Sequence, residues 1–142
     1  VYSHRFPVFG TKGGGGGDED VKDDGEETEQ EQEEEEEAWL VGGASNVGCA
    51  VLRQLQFSDA ELIDLSSRID PTTDTSLSYY PLTKRGERFP VSDPNREPNL
   101  SPVPEDRAEY LKGILQGIAE VEVEGYRALG ELGAEPGVPK RV

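Results

Sequence analysis

The chain has 142 residues, about a third of them apolar, and a formal net charge of −16 at pH 7, which is material for one modest domain. The charge is local: residues 18–37 hold fourteen acids and one lysine, and everything else nets only −3. There is no basic patch, which argues against nucleic-acid binding through phosphate neutralisation. No apolar run approaches the roughly 18 to 20 residues that span a bilayer, and no secretory signal pattern opens the chain, so neither a membrane span nor a membrane partner is expected.

Residues 1–9 read as a strand broken by Pro7, with residues 38–41 as its natural partner. Between them, residues 10–37 form an insert, a run of five glycines flowing into the acidic tract. Ordering a backbone costs on the order of 1 to 2 kcal/mol per residue, and this composition has almost nothing to bury in return, so disorder or a frayed helix is expected there. Joining the ends of a long loop costs little more than joining those of a short one, so the strand pair tolerates the insert.

Residues 39–55 read as strand, glycine turn and helix. Gly42 and Gly43 permit the sharp turn, Ser45 or Asn46 is placed to cap, and Val47, Val51 and Leu55 give the helix an apolar face. A strand-to-helix junction of this kind gathers free N–H groups and the positive end of a helix dipole, where phosphates are held. The turn lacks the Lys and Ser/Thr of a phosphate-cradling loop and the spacing of the dinucleotide fingerprint. The single Cys49 lies on the helix pattern and has no partner for an internal disulfide, which fits a reducing compartment.

Ser58 with Glu61 is a capping-box signature for a second helix to about Arg68, ended by Asp70-Pro71. Residues 77–82 read as a short extended piece carrying Tyr79 and Tyr80, and residues 86–104, dense in Pro, Asp and Asn, have no period of either kind, so turns and packing must shape them. From Asp106 the helical pattern is strong: Leu111, Ile114, Leu115, Ile118, Val121 or Glu122, Gly125, Leu129 and Leu132 recur at three and four. Asp106 with Glu109 can close its start and Gly130 or Gly133 its end. Gly113, Gly117 and Gly125 inside it each cost about 1 kcal/mol against Ala, which is accepted where another element comes close.

The chemical inventory is sparse. With one His, one Cys and no ligand-spaced cluster, no metal site is expected within the chain. His4 reads as a strand residue, Tyr79 and Tyr80 as packing aromatics, and Arg85, Glu87 and Arg88 as a loop-fixing ion pair rather than a phosphate site.

At this point two segments carry a resemblance. Tyr79-Tyr-Pro-Leu-Thr-Lys-Arg-Gly-Glu-Arg-Phe-Pro-Val-Ser-Asp-Pro94 resembles the Gly-Glu-Arg-x-Pro…Asp-Pro segment of the FGGY carbohydrate kinases. Gly42-Gly-Ala-Ser-Asn-Val-Gly48 followed by Ala50-Val-Leu-Arg is similar to the glycine-rich strand and helix that precede it there, and the long helix with Gly113-Ile-Leu-Gln-Gly-Ile-Ala119 follows in the family's order. Together with Val1-Tyr-Ser-His-Arg5 the resemblance covers everything except residues 10–37, and it runs nearest to the plant and cyanobacterial D-ribulose kinase branch, once described as xylulose-kinase-like.

The resemblance implies an α/β fold, part of an actin-like (ribonuclease-H-like) kinase domain: a β-hairpin followed by helices, with residues 1–9 and 38–142 belonging to the C-terminal domain and residues 10–37 as a disordered acidic insert. It implies transfer of the ATP γ-phosphate to a hydroxyl of a ketopentose, D-ribulose or D-xylulose, with ATP and Mg²⁺ as cofactors. It places Gly48 against the nucleotide, with Gly43, Ser45 and Asn46 in the same turn. No catalytic residue falls within the chain, and neither the N-terminal phosphate-binding turn nor the glycine-rich adenosine motif is present. The absence of methionine and the strand-like ends fit a piece of a longer protein, inactive alone and partnered by the N-terminal domain of the same chain. The branch suggests a plastid, with the cytoplasm as the alternative. The insert itself lies outside the family pattern, as a surface loop of one lineage or as retained non-coding sequence. A competing expectation, from composition alone, is a non-catalytic acidic interaction protein that binds basic partners through residues 18–37.

Overall fold

The computed structural model describes residues 2–7 and 37–135, with side chains described from Trp39 onward. Most of the insert lies outside the described residues. The chain divides into two units, Ser3–Leu40 in one and Val1–Tyr2 with Val41–Val142 in the other. Strands β1 (Tyr2–Pro7) and β2 (Glu37–Gly42) are hydrogen-bonded neighbours in a two-stranded sheet, as the sequence pairs them, with Pro7 as the last residue of its strand. An N–H is missing at proline, so the end of a strand is where the ladder tolerates it.

The second unit is built on helix α3, Arg107–Glu131. Asp106 is its N-cap: extended backbone lets its carboxylate accept from the Ala108 N–H at 2.9 Å. Glu109 does not share in the cap; it accepts instead from the Thr75 hydroxyl. At the other end Gly133, at φ +87°, turns the chain into the left-handed region, and the N–H groups of Gly133 and Ala134 bond to the carbonyls of Gly130 and Leu129. This is a Schellman closure, so Gly133 rather than Gly130 ends the helix. The buried face runs through Leu111, Ile114, Gly117, Val121 and Gly125, while Leu115 and Leu132 point to solvent.

Helix α2 (Asp59–Arg68) starts as expected, with the Ser58 hydroxyl accepting from the Glu61 N–H at 3.2 Å. The reciprocal half of the box is not made, because the Glu61 carboxylate pairs with Arg107 at the start of α3. Arg68 pairs with Asp106 at 2.9 Å, so both ends of α2 are tied to one end of α3. Both pairs are substantially exposed and orient the helices more than they stabilise them. The packing comes from Val51, Leu52, Phe57, Leu65, Tyr79, Tyr110, Leu111 and Ile114, which form one buried cluster, each such side chain contributing roughly 1.5 to 3 kcal/mol on burial.

Helix α1 departs from expectation. It spans only Ala50–Gln54, its N-cap is Cys49, and no side chain caps it. Val47 has left the helix to form an antiparallel bridge with Leu82. Ser45 does not cap because its hydroxyl accepts from the Val47 N–H at 2.9 Å, closing a turn two residues long before the helix begins. A single turn sums few peptide dipoles, so the anion-binding junction expected from a full helix is not formed.

Residues 70–106 carry no helix or named strand, and single side chains shape them. Within residues 77–82, expected to be extended, Tyr80 bridges to Asn99 and Leu82 to Val47, but the Leu82 N–H turns back to the Tyr80 carbonyl at 2.9 Å, so the piece is kinked at Pro81; Glu87 bridges to Asp93. Asp93 accepts from the Asn95 N–H, and Arg85 pairs with Glu97 at 3.2 Å. The three helical glycines explain how this segment lies so close to α3. A Cβ on Gly113 would come within 2.7 Å of the Tyr79 ring, one on Gly117 within 2.6 Å of the Tyr79 carbonyl, and one on Gly125 within 2.8 Å of the Phe89 ring. Among the described residues no helix is long and apolar enough to cross a membrane.

Candidate functional site

The glycine turn and the Gly-Glu-Arg loop meet at Glu87, whose residue is 3% exposed. One carboxylate oxygen accepts from the Asn46 N–H at 2.7 Å and the Arg88 N–H at 2.8 Å. The other accepts from the Ser45 hydroxyl at 2.9 Å and the Tyr80 hydroxyl at 3.2 Å. The bond to Asn46 joins residues 41 apart in sequence, so it fixes one segment on the other. Asn46 adds two more ties, donating from its side-chain amide to the Gly86 carbonyl at 3.0 Å and accepting from Arg88 Nε at 2.7 Å.

The electrostatics follow from these partners. Burial pushes the Glu87 carboxyl up, but the Asn46 and Arg88 amides, the Ser45 hydroxyl and the Phe89 amide outweigh it and hold the group below its ordinary value. The Tyr80 phenol is pushed up to about 12 by burial, by the charge of Glu87 and by the hydrogen bond to it. Arg96 lies over the Tyr80 ring, 4.2 Å from its centroid, and only partly offsets that rise.

A cavity of about 390 Å³ lies between the turn and the second half of α3, lined by Gly42, Gly43, Ser45 and Val47 on one side and by Ile118, Val121, Glu122, Tyr126 and Leu129 on the other. Phe89 also lines it. Its ring occupies the place of a Gly43 side chain and also presses on Gly125, so two glycines from opposite walls make room for one aromatic ring.

The four turn residues named from sequence are therefore brought to one place but in different states. The smallness of Gly43 accommodates Phe89. Ser45 and Asn46 direct their polar atoms inward, to Glu87, Gly86, Val47 and Arg88. Gly48 alone is open: a Cβ there would meet no described atom within 4 Å. The residue that organises the site is Glu87, which sequence reasoning assigned to an ion pair. It does fix the loop, but through hydroxyl and amide donors, while Arg85 pairs with Glu97 and Arg88 reaches Asn46. An acid in an aperiodic loop carries no periodic signal of burial; what the sequence offers is its place in the Gly86-Glu87-Arg88 motif on which the resemblance rests.

Among the described residues no group of three or more His, Cys, Asp or Glu is gathered to hold a metal ion. No family model matches the chain.

Proposed function

We propose that this chain forms part of the nucleotide-binding domain of an ATP-dependent sugar kinase, one that passes the γ-phosphate to a hydroxyl of a ketopentose such as D-ribulose or D-xylulose. The observation that carries this reading is the union of the two segments on which the sequence resemblance rests, with Asn46 of the glycine turn donating to Glu87 of the Gly-Glu-Arg loop at 2.7 Å. Phosphoryl transfer depends on positioning, a metal and a base acting together. These residues would supply one wall of that site, with Gly48 facing the nucleotide and Gly43, Ser45 and Asn46 shaping the turn behind it. The base, the Mg²⁺ ligands and the sugar pocket would come from the rest of the kinase, so the chain by itself would not turn over. The plastid is the compartment this branch of kinases points to, with the cytoplasm as the alternative.

The test is a chimera in which the corresponding segment of an active D-ribulose kinase is replaced by this chain. Phosphorylation of D-ribulose or D-xylulose by the chimera supports the reading. A chimera that folds, binds neither nucleotide nor sugar and shows no turnover overturns it.

A further inference from the structure

We infer that Glu87 is a positioning residue, an internal anion that holds the 43–48 turn in one shape through Ser45 and Asn46 and leaves the Gly48 side as the face offered to a ligand. Its role as a nucleotide-site residue rests on the kinase reading; its role as the latch of the turn does not.

Three observations lead there. The carboxylate is buried, and both its oxygens accept hydrogen bonds, from Asn46 N–H and Arg88 N–H on one side and from the Ser45 and Tyr80 hydroxyls on the other. A buried carboxylate is tolerated only with such partners, and removing it would leave several donors unmet at once. Next, the Ser45 hydroxyl and the Asn46 amide are donors that a phosphate would otherwise use in such a turn. Here they already serve an anion, and a second anion at the same donors would face its charge at close range. Finally, among the described residues no atom lies within 4 Å of where a Gly48 side chain would stand, and its turn is held from behind. A ligand at this turn therefore meets a rigid surface beside Gly48, and the part that touches it is uncharged, the sugar or base of a nucleotide rather than its phosphates.

Backbone amide hydrogen exchange followed by NMR on the full 142-residue chain tests this. Glu87→Gln keeps the shape of the side chain and removes its charge. Loss of charge-assisted bonds should raise exchange at Asn46 and Val47 by about tenfold to a hundredfold, while Leu111 and Ile114 in the core stay as in the parent. In the parent chain, millimolar pyrophosphate should leave the Ser45 and Asn46 resonances unmoved. Unchanged exchange at Asn46 in the variant, or a pyrophosphate response at Ser45 and Asn46 in the parent, overturns the inference. If Glu87→Gln melts the core as well, Tyr80→Phe decides, since it withdraws one O–H and keeps the carboxylate. A rise of a few fold confined to residues 45–48 supports the latch, and no rise overturns it. An inactive chimera with an intact latch would fail the kinase reading alone, and an unlatched turn in an active chimera would fail this inference alone.

Discussion

Helix α3 and the segment that lies along it, residues 70–106, are held in place in opposite ways. The helix is specified by repetition: apolar residues at three and four, a cap at each end, and a buried face on which Leu111, Ile114 and Val121 share the work. The segment has no repeat, and its path is set by individual side chains, Phe89 between two glycines and Glu87 among five residues' donors. Repetition spreads the energy over many positions, whereas a path set by single residues concentrates it. Substitutions should therefore be far more damaging per residue in the segment than along most of the helix.

The sharpest way to break this contrast is Phe89→Ala. It removes a buried ring from between Gly43 and Gly125, neither of which has a side chain to fill the space. A loss of about 3 to 5 kcal/mol is expected, read by urea or thermal unfolding. A loss under about 1 kcal/mol would show that the segment is held by something more distributed. Gly117→Val should follow with a loss of about 1 to 3 kcal/mol, because its Cβ would stand 2.6 Å from the Tyr79 carbonyl, a backbone atom that cannot swing aside. The effect belongs to the segment although the residue is in the helix: Ala119→Val, on the exposed side, should change stability by only a few tenths of a kcal/mol.

The third prediction uses pH. The Glu87 carboxyl is held below its ordinary value in the folded chain, with burial opposing and the amide and hydroxyl donors prevailing. Such a group contributes stability that is fully present above the unfolded carboxyl value and is lost as pH falls through the lowered folded one. Tyr80, pushed up to about 12, works in the other direction: its contribution is complete below the ordinary phenol value and is lost as pH climbs towards about 12. Stability should thus fall at both extremes, and Glu87→Gln should flatten the acid limb attributable to this residue while bringing the Tyr80 titration back towards its ordinary range. An acid limb identical in the variant would mean that other carboxylates carry it.

The same contrast governs what the sequence made legible. The long helix, its N-cap Asp106, the Ser58 cap of α2 and the need for small residues at 113, 117 and 125 were all readable, because period and capping chemistry are local. The pairing of β1 with β2 was readable from a loosely alternating stretch and a short apolar run. What failed was the extent of α1, because a tertiary bridge from Val47 to Leu82 won over helical propensity, and the role of Glu87, because the two partners that tie it to the glycine turn, Ser45 and Asn46, lie about 40 residues away. The turn residues were located correctly as a group, but which of them faces inward depends on a loop whose position no local pattern encodes.

The smallest expected effect on stability is at Gly48, and that is what makes the position informative. Its Cβ site is empty of described atoms and its backbone is not in the left-handed region, so neither overpacking nor strain opposes a side chain. Gly48→Ala should leave the melting temperature within a degree or two of the parent, or raise it slightly by narrowing the unfolded ensemble, a change of about 0.5 kcal/mol at most. Gly48→Val should be only slightly worse. If the kinase reading holds, the same valine would intrude on the nucleotide, so in the chimera it should raise KM for ATP well above that for sugar at unchanged melting temperature. A chimera destabilised by Gly48→Val, with ATP affinity intact, would make Gly48 a packing glycine after all and would remove it from the site. A variant unchanged in both would leave the turn without a ligand at that face. The measurement needs only one preparation, with melting temperature and both KM values taken side by side, because the two roles for Gly48 predict opposite combinations of the same quantities.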